Sequence, residues 1–485
     1  MPDARHVLVV GGGLNGLLAA MLLARDGHRV TVVERDPAEP PEPATAWEDW
    51  QRRGCAQFRL PHFMQPRFRH LLEAELPDVA DALVAAGALR YDVLAALPAA
   101  VTGGIGDGDD RFATLTARRP VLEAVVARAA AAEPGVRVRR GSAVRALLTG
   151  QAVLPAVPHV AGARAGDGEE LRADLVVDAS GRGSPLPALL TDLGAEPPAE
   201  EQEEGGFVYY SRHFTGPLPQ IRGPVQQWYD SVSILTLPAD NGTWSVTFVG
   251  SARDKPLRAL RDPGSWTAAM RCYPLAAHWI DAEPITGVDA FGGIGDRLRR
   301  LVVDGRPVVT GVLALGDAAA FTNPSLGRGA SIGLLHAVRL RELLRAAGGA
   351  DPVEVALRWA QDTAESVEPW YRATVRTSGA RFAELESDRT GVPAARDESW
   401  ALVKAMTAGT RNDPTVLRML LEVAGLLALP GEVLSRPGAI ERVWTAGGDA
   451  PRYPLPGPDR TALLAAAGSS GKPHSRPLRP SMWLS

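Results

Sequence analysis

The chain has 485 residues, 45% of them hydrophobic and 22% charged, enough for a large core, two interleaved domains and a tail. Its net charge of −4 comes without the basic stripe that neutralises nucleic-acid phosphates, so nucleic acid is not an expected partner. Cys55 and Cys272 stand far apart without metal-ligand spacing and read as small buried hydrophobes in a reducing cytoplasm, with no metal site.

The N-terminus runs straight into an apolar strand, His6–Val10, without the basic and long apolar regions of a secretory leader. A glycine turn follows, then an amphipathic helix over 17–25 and a second strand over 29–34, which is a βαβ beginning. Residues 37–63 are rich in Pro and Arg and carry no readable periodicity. Helices are predicted over 65–76 and 120–132, the second opened by proline at its first position. Strands are predicted over 135–139, 143–148 and 171–177. From 205 to about 286 short strands alternate with turns such as Asp240-Asn241-Gly242, the pattern of an antiparallel sheet inserted into an α/β domain. The first domain resumes at 307–315 and continues as a helix from Ser331. Residues 352–436 read as helical throughout. The longest apolar stretch, 416–429, is interrupted by Arg418 and Glu422 and is too short for a bilayer, so no membrane span is expected. From 451 the chain is rich in Pro, Gly and Ser, and its last 20 residues are expected to be poorly ordered.

The leading motif is Gly11-Gly12-Gly13-Leu14-Asn15-Gly16, which leaves a strand and opens a helix. In such a motif Gly11 permits the tight turn, Gly13 lets a pyrophosphate approach the backbone, and Gly16 lets helix and strand pack closely. Free N–H groups of Leu14, Asn15 and their neighbours face the anion. Glu34, with Arg35 beside it, ends the second strand where a ribose hydroxyl needs an acceptor. The expected ligand is a dinucleotide.

Two later segments, Leu175-Val-Val-Asp178-Ala-Ser-Gly181 and Ala314-Leu-Gly316-Asp317-Ala with Pro324-Ser-Leu-Gly327-Arg328-Gly329, resemble fingerprints of the para-hydroxybenzoate hydroxylase family. The resemblance runs over about 6–345 and is closest in these motifs, their order and their spacing. It implies FAD, with Asp317 on the ribityl chain and the turn from Pro324 to Gly329 on the pyrimidine edge of the flavin. Arg119 matches a family position whose side chain reaches the FAD phosphates or ribityl chain, and Val144 lies on the strand that passes the adenine. Arg328 between the two glycines is unusual; it either reaches the flavin edge or points to solvent. Ser331 and His336 also depart from the family pattern, without bearing on FAD binding.

The fold class implied is α/β: a Rossmann-type FAD-binding domain (1–204 and 287–345), an inserted antiparallel β-sheet substrate domain (205–286), a C-terminal helical region (346–450) and a Pro/Gly-rich tail (451–485). No second GxGxxG has a strand–helix context, which fits family members whose NAD(P)H docks transiently, reduces FAD and leaves. The family's monooxygenases then use O2 and a flavin C4a-(hydro)peroxide to hydroxylate or epoxidise a small organic substrate, often in natural-product biosynthesis. A halogenase of this fold uses a lysine in the N-terminal half, and no lysine precedes Lys255 here. A flavin-dependent reductase or dehydrogenase acting on a polyprenyl or polyene, and a flavin-holding ligand-binding protein, remain as alternatives. Tyr210 and Arg212, which alternation puts on one face, and Trp228 are either substrate contacts or sheet packing with a surface arginine. His62 is either a catalytic neighbour of the flavin or an ordinary loop histidine.

Overall fold

A computed structural model describes residues 4–468 apart from 53, 56 and 204. Residues 469–485, on which most of the expectation for the chain's end falls, lie outside the described residues. The central element is a five-stranded parallel sheet in the order Val312–Ala314, Leu175–Asp178, His6–Val10, Arg29–Val33, Val136–Arg139. Its central strands are covered on both faces and read as continuous apolar runs, with Val7, Leu8 and Val9 fully buried, while the edge strand Val136–Arg139 alternates Val and Arg and is partly exposed. The helix Leu14–Arg25 packs on one face through Leu17 to Leu23. Glycine makes this close approach possible: a Cβ on Gly16 would stand 2.1 Å from the Gly11 carbonyl oxygen, and Gly11 itself has φ +107°.

The inserted sheet is antiparallel, ordered Gln226–Trp228, Ser233–Pro238, Thr243–Ser251, Phe207–Thr215, with Glu283–Pro284 and Asp289–Gly292 both pairing on the outer side of Phe207–Thr215. The last partner lies just beyond the residue at which the sequence pattern ends. One face packs on the helix Pro263–Met270 around Trp244, Trp266 and Tyr273, all fully buried. Arg118 ties the sheet to the first domain: its backbone N–H (2.5 Å) and Nη2 (2.7 Å) both donate to Asp240, whose carboxylate is wholly buried.

Helices Pro352–Ser366, Glu368–Thr390, Glu398–Gly409, Pro414–Ala424 and Ala439–Gly447 close the third side. The expected continuous helical stretch is broken at capping aspartates, Asp397 and Asp413, whose side chains accept first-turn N–H groups. Composition after 451 conceals an ordered segment. Arg460–Gly468 is a helix with Leu463 fully buried against the sheet's core, and Arg460 pairs with Asp254 at 2.9 Å. Both cysteines are free, but Cys272 is exposed, contrary to expectation; Cys55 is half-buried. Among the described residues no helix is long and apolar enough to cross a membrane, and no group of His, Cys, Asp and Glu could hold a metal.

Candidate functional site

A cavity of about 1580 Å³ opens where the parallel strands end, beneath the inserted sheet and against the C-terminal helices. Carboxyl ends of parallel strands are where an α/β sheet leaves a crevice for ligands. The volume exceeds the roughly 300–1,000 Å³ of a pocket for one small ligand, so a cofactor and a second molecule fit together.

At the first end of the cavity lie Gly11, Gly13, Leu14, Asn15, Glu34, Arg35 and Val144. Gly16 stands behind them as a packing contact. Gly13 is open: a Cβ there would meet nothing nearer than Arg52 Nη1 at 3.8 Å, so the space in front of the helix N-terminus is free for a ligand. That terminus has no side-chain cap, and its N–H groups are left for an anion. Asn15 is wedged between Gly316 and Gly333, where a Cβ on Gly333 would lie 2.0 Å from its Nδ2.

Glu34 is more heavily engaged than its motif suggests. Its oxygens accept N–H groups of Gly12 and Asp36, both at 2.8 Å, and Arg52 at 2.6 Å. Arg52 also binds Glu123, which accepts Arg119 Nε at 2.5 Å. Two half-buried arginines therefore share two buried acids. Burial alone would raise the Glu123 carboxyl, but Arg119 and Arg52 outweigh it and hold it at about 2. Arg52 was not foreseen, because it sits in the stretch without periodicity and its role depends on partners 18 and 71 residues away.

His62 lines the cavity beside this network. Its Nδ1 is 2.8 Å from the Leu60 carbonyl and its Nε2 is 3.3 Å from Arg119 Nη1, which assigns the proton to Nδ1 and the lone pair to Arg119. Burial and then Arg119 push its pKa down to about 4, so at neutral pH it is a fixed neutral acceptor.

Asp317 lies further along, facing the same cavity and carrying no protein hydrogen bond among the described residues. Burial raises its pKa, opposed by Arg119, Arg297 and Arg182. A half-buried acceptor that faces the cavity without a protein partner fits a ligand hydroxyl. The turn Pro324–Leu326, then Gly327 at φ +63°, leads into the 18-residue helix Gly329–Ala346, whose N-terminus also lacks a side-chain cap. Pro324, Gly327, Arg328 and Gly329 all line the cavity. Arg328 does not point to solvent: it is 6% exposed and donates to Thr374 Oγ1 (3.2 Å) and the Val423 carbonyl (3.3 Å). It has no carboxylate partner among the described residues, and burial lowers its pKa to about 10. His336, neutral with its pKa pressed to about 3 by burial, accepts the Gly316 N–H at 3.1 Å and so braces the turn that carries Asp317.

The roof corrects the sequence reading. Alternation along Phe207–Thr215 holds, but the phase is reversed: Tyr209 and Ser211 face the cavity, while Tyr210 and Arg212 face away. Tyr210 is core, and Arg212 lies over Phe214 and Trp266 at 5.8 and 5.6 Å. Trp228 does line the cavity and packs on Trp400 at 4.9 Å. Tyr209 stacks on Phe291 at 4.4 Å and donates its hydroxyl to Asn323 Oδ1 at 2.5 Å. Asn323 caps the Pro324 turn through Ser325 N–H, so its side chain joins roof and turn by hydrogen bonds.

This donor set fits FAD: an open glycine turn for pyrophosphate, a guanidinium at Arg119, an unsatisfied acid at Asp317 for the ribityl hydroxyls, and an uncapped helix for the ring. Asp317→Ala is expected to fold normally and to lose about ten- to a hundredfold in FAD affinity, as one charged acceptor of about 1–3 kcal/mol disappears. Titrating the apoprotein while following flavin fluorescence measures this, and unchanged affinity would move the ribityl chain elsewhere.

Comparison with known proteins agrees. A family described as FAD dependent oxidoreductase matches residues 6–47. The protein Rv3254 of Mycobacterium tuberculosis is 29% identical over 397 residues, covering 75% of this chain and 78% of its own. The solved structure of PqsL, a probable FAD-dependent monooxygenase from Pseudomonas aeruginosa, superposes with a TM-score of 0.57 at 20% identity, over 80% of this chain and 97% of that one. CmlS, a flavin-dependent halogenase, gives 0.59 at 18% identity, over 88% and 77%. The family match lies at the nucleotide-binding end, the fold over most of the chain is that of the flavin monooxygenases and halogenases, and the cradle fits FAD.

Proposed function

We propose that the protein is a monooxygenase that takes electrons from NAD(P)H and inserts one atom of O2 into a small organic molecule by hydroxylation or epoxidation. The observation that carries this reading is the continuity of one cavity from the dinucleotide cradle past Asp317 into an apolar chamber. Bound FAD supplies the redox chemistry there, accepting a hydride and, once reduced, activating O2. The chain's part is to hold and enclose. In this reading residues 1–204 and 287–345 hold the cofactor, 205–286 roof the substrate, and the helices of 346–450 close its far side. Gly13 and the helix behind it take the pyrophosphate, with Arg119 alongside. Glu34, Arg35 and Val144 border the adenosine, and Asp317 takes the ribityl hydroxyls. The uncapped helix at Gly329, reinforced by the buried Arg328, stabilises negative charge on the pyrimidine side of the ring. The Tyr209–Phe291 pair excludes water above it.

Halogenation is less well supported. No lysine precedes Lys255, and Lys404, which does line the chamber, is held by Glu384 at 2.6 Å and by the Arg452 carbonyl. An anaerobic single turnover with NAD(P)H and a panel of candidate substrates separates oxygenation from hydride transfer. The flavin should bleach to its reduced form and the substrate should stay unchanged until O2 is admitted. Product at full yield without O2 would make the protein a reductase or dehydrogenase.

A further inference from the structure

The acids that line the cavity all lie on one side of it, whereas cations line both. Among the described residues that line the whole cavity, the acids are Glu34, Asp36 and Asp317, all on the first domain. The half bounded by residues 220–228 and the C-terminal helices carries Arg222, Lys404, Arg411 and Arg452 and no acid. Lys404 and Arg452 are satisfied from behind, by Glu384 at 2.6 Å and Asp388 at 2.8 Å. Arg222 and Arg411 are exposed at the mouth and have no hydrogen-bond or ion-pair partner among the described residues. Both arginines belong to the lining of this one cavity; in the loop of Arg222 the Pro224 carbonyl accepts Gln227 Nε2 at 3.1 Å, and Gln227 Oε1 accepts the Tyr229 hydroxyl at 2.7 Å. Inside the mouth the walls are Leu402, Met406, Leu417, Leu421, Leu434 and Leu455.

We propose that this chamber selects an amphipathic acid, a molecule with a bulky apolar body and one anionic head, and that Arg222 and Arg411 hold the head at the mouth while the body lies toward the flavin. This names a substrate class for the monooxygenase reading and rests on it for the word substrate, but the binding itself needs no turnover. Burial of the body among leucines supplies most of the affinity, at roughly 25 cal/mol per Å² of apolar surface. The two free cations supply selection: an anion gains their field, and a neutral molecule of the same shape does not. Arginine presents a planar fork to a carboxylate or a phosphate, so either head satisfies the site.

The test uses the FAD-loaded protein and two fluorescent probes of one shape, 1-pyrenebutyrate and 1-pyrenebutanol, titrated by pyrene fluorescence and by quenching of Trp228 and Trp400. Dodecyl phosphate and dodecanol, as competitors, distinguish a phosphate head from a carboxylate. Pyrenebutyrate should bind about tenfold more tightly than pyrenebutanol, and the ratio should shrink toward one as salt rises to about 1 M. In the double variant R222A/R411A the two probes should bind alike, with FAD content unchanged. Equal affinity for acid and alcohol in the native protein, a preference that survives the double variant, or binding of neither probe would overturn the proposal. Each of these results leaves the requirement for O2 untouched, so the two readings fail separately.

Discussion

Gly13→Val is expected to give a folded protein that has lost FAD. The backbone at Gly13 is ordinary, with φ −80°, and a Cβ there meets no protein atom closer than 3.8 Å, so the fold has no reason to reject a side chain. The branched group instead fills the space in front of the helix N-terminus and denies the pyrophosphate its backbone N–H groups. Two or more charge-assisted hydrogen bonds, each about 1.5–3 kcal/mol, are lost, which is at least about a hundredfold in affinity. Gly16→Val is the contrast, because its Cβ would be driven into the Gly11 carbonyl oxygen 2.1 Å away, so that variant should fail to fold. Flavin absorbance of the purified proteins, together with circular-dichroism melts, separates the two. Native FAD affinity in Gly13→Val would mean that the pyrophosphate does not cross this turn.

A steep loss of stability below neutral pH is the second large effect. His213 and His336 are buried and His62 is half-buried on the cavity wall; burial, joined at His62 by Arg119, holds the pKa values of His62, His213 and His336 at about 4, 3 and 3. A histidine whose folded pKa lies below its unfolded value of about 6.5 takes up a proton only on unfolding between those two values. Its contribution is therefore complete above about pH 6.5 and drains away as pH falls toward the folded value. Three such groups give up to about 4 kcal/mol per pH unit. Asp296, raised to about 6 by burial, and Asp317, also raised, work in the opposite sense because they bind protons while folded. The net slope between about pH 6 and 4 should be one to two protons, roughly 1.4–3 kcal/mol per unit, enough to unfold an ordinary domain near pH 4. Urea unfolding across pH 7.5 to 4.5 measures it. His213 offers a clean variant: it packs at a tilt against Trp47 at 4.8 Å and its Nδ1 has no partner among the described residues, so His213→Phe keeps the packing and should remove about one proton from the slope. Stability that is flat over this range would contradict the buried, neutral state of these rings.

The cradle was legible in the sequence because glycine turns at strand ends answer backbone demands that no other residue meets. Gly11, Gly16 and Gly327 each stand where a side chain collides or φ is positive. Asp317 and the Pro324 turn were legible only through the resemblance of their segments to fingerprints of the para-hydroxybenzoate hydroxylase family. What could not be read depends on the third dimension. Tyr210 and Arg212 were placed by correct alternation in the wrong phase, since both faces of Phe207–Thr215 are covered and the pattern carries no polar face to orient it. Arg52 and Glu123 are ordinary residues until the fold brings them together between Glu34 and Arg119. The helix Arg460–Gly468 is short, alanine-rich and surrounded by Pro and Gly, so its docking on the sheet left no periodic signal.

The central claim is that the bound flavin passes an oxygen atom from O2 to a substrate. Once a substrate is found by stimulated NAD(P)H oxidation, turnover under 18O2 in ordinary water, with mass spectrometry of the product, tests it directly. One 18O atom per product molecule is the predicted result. Product carrying no label, or label only when the water is H2 18O, would contradict the oxygenase account.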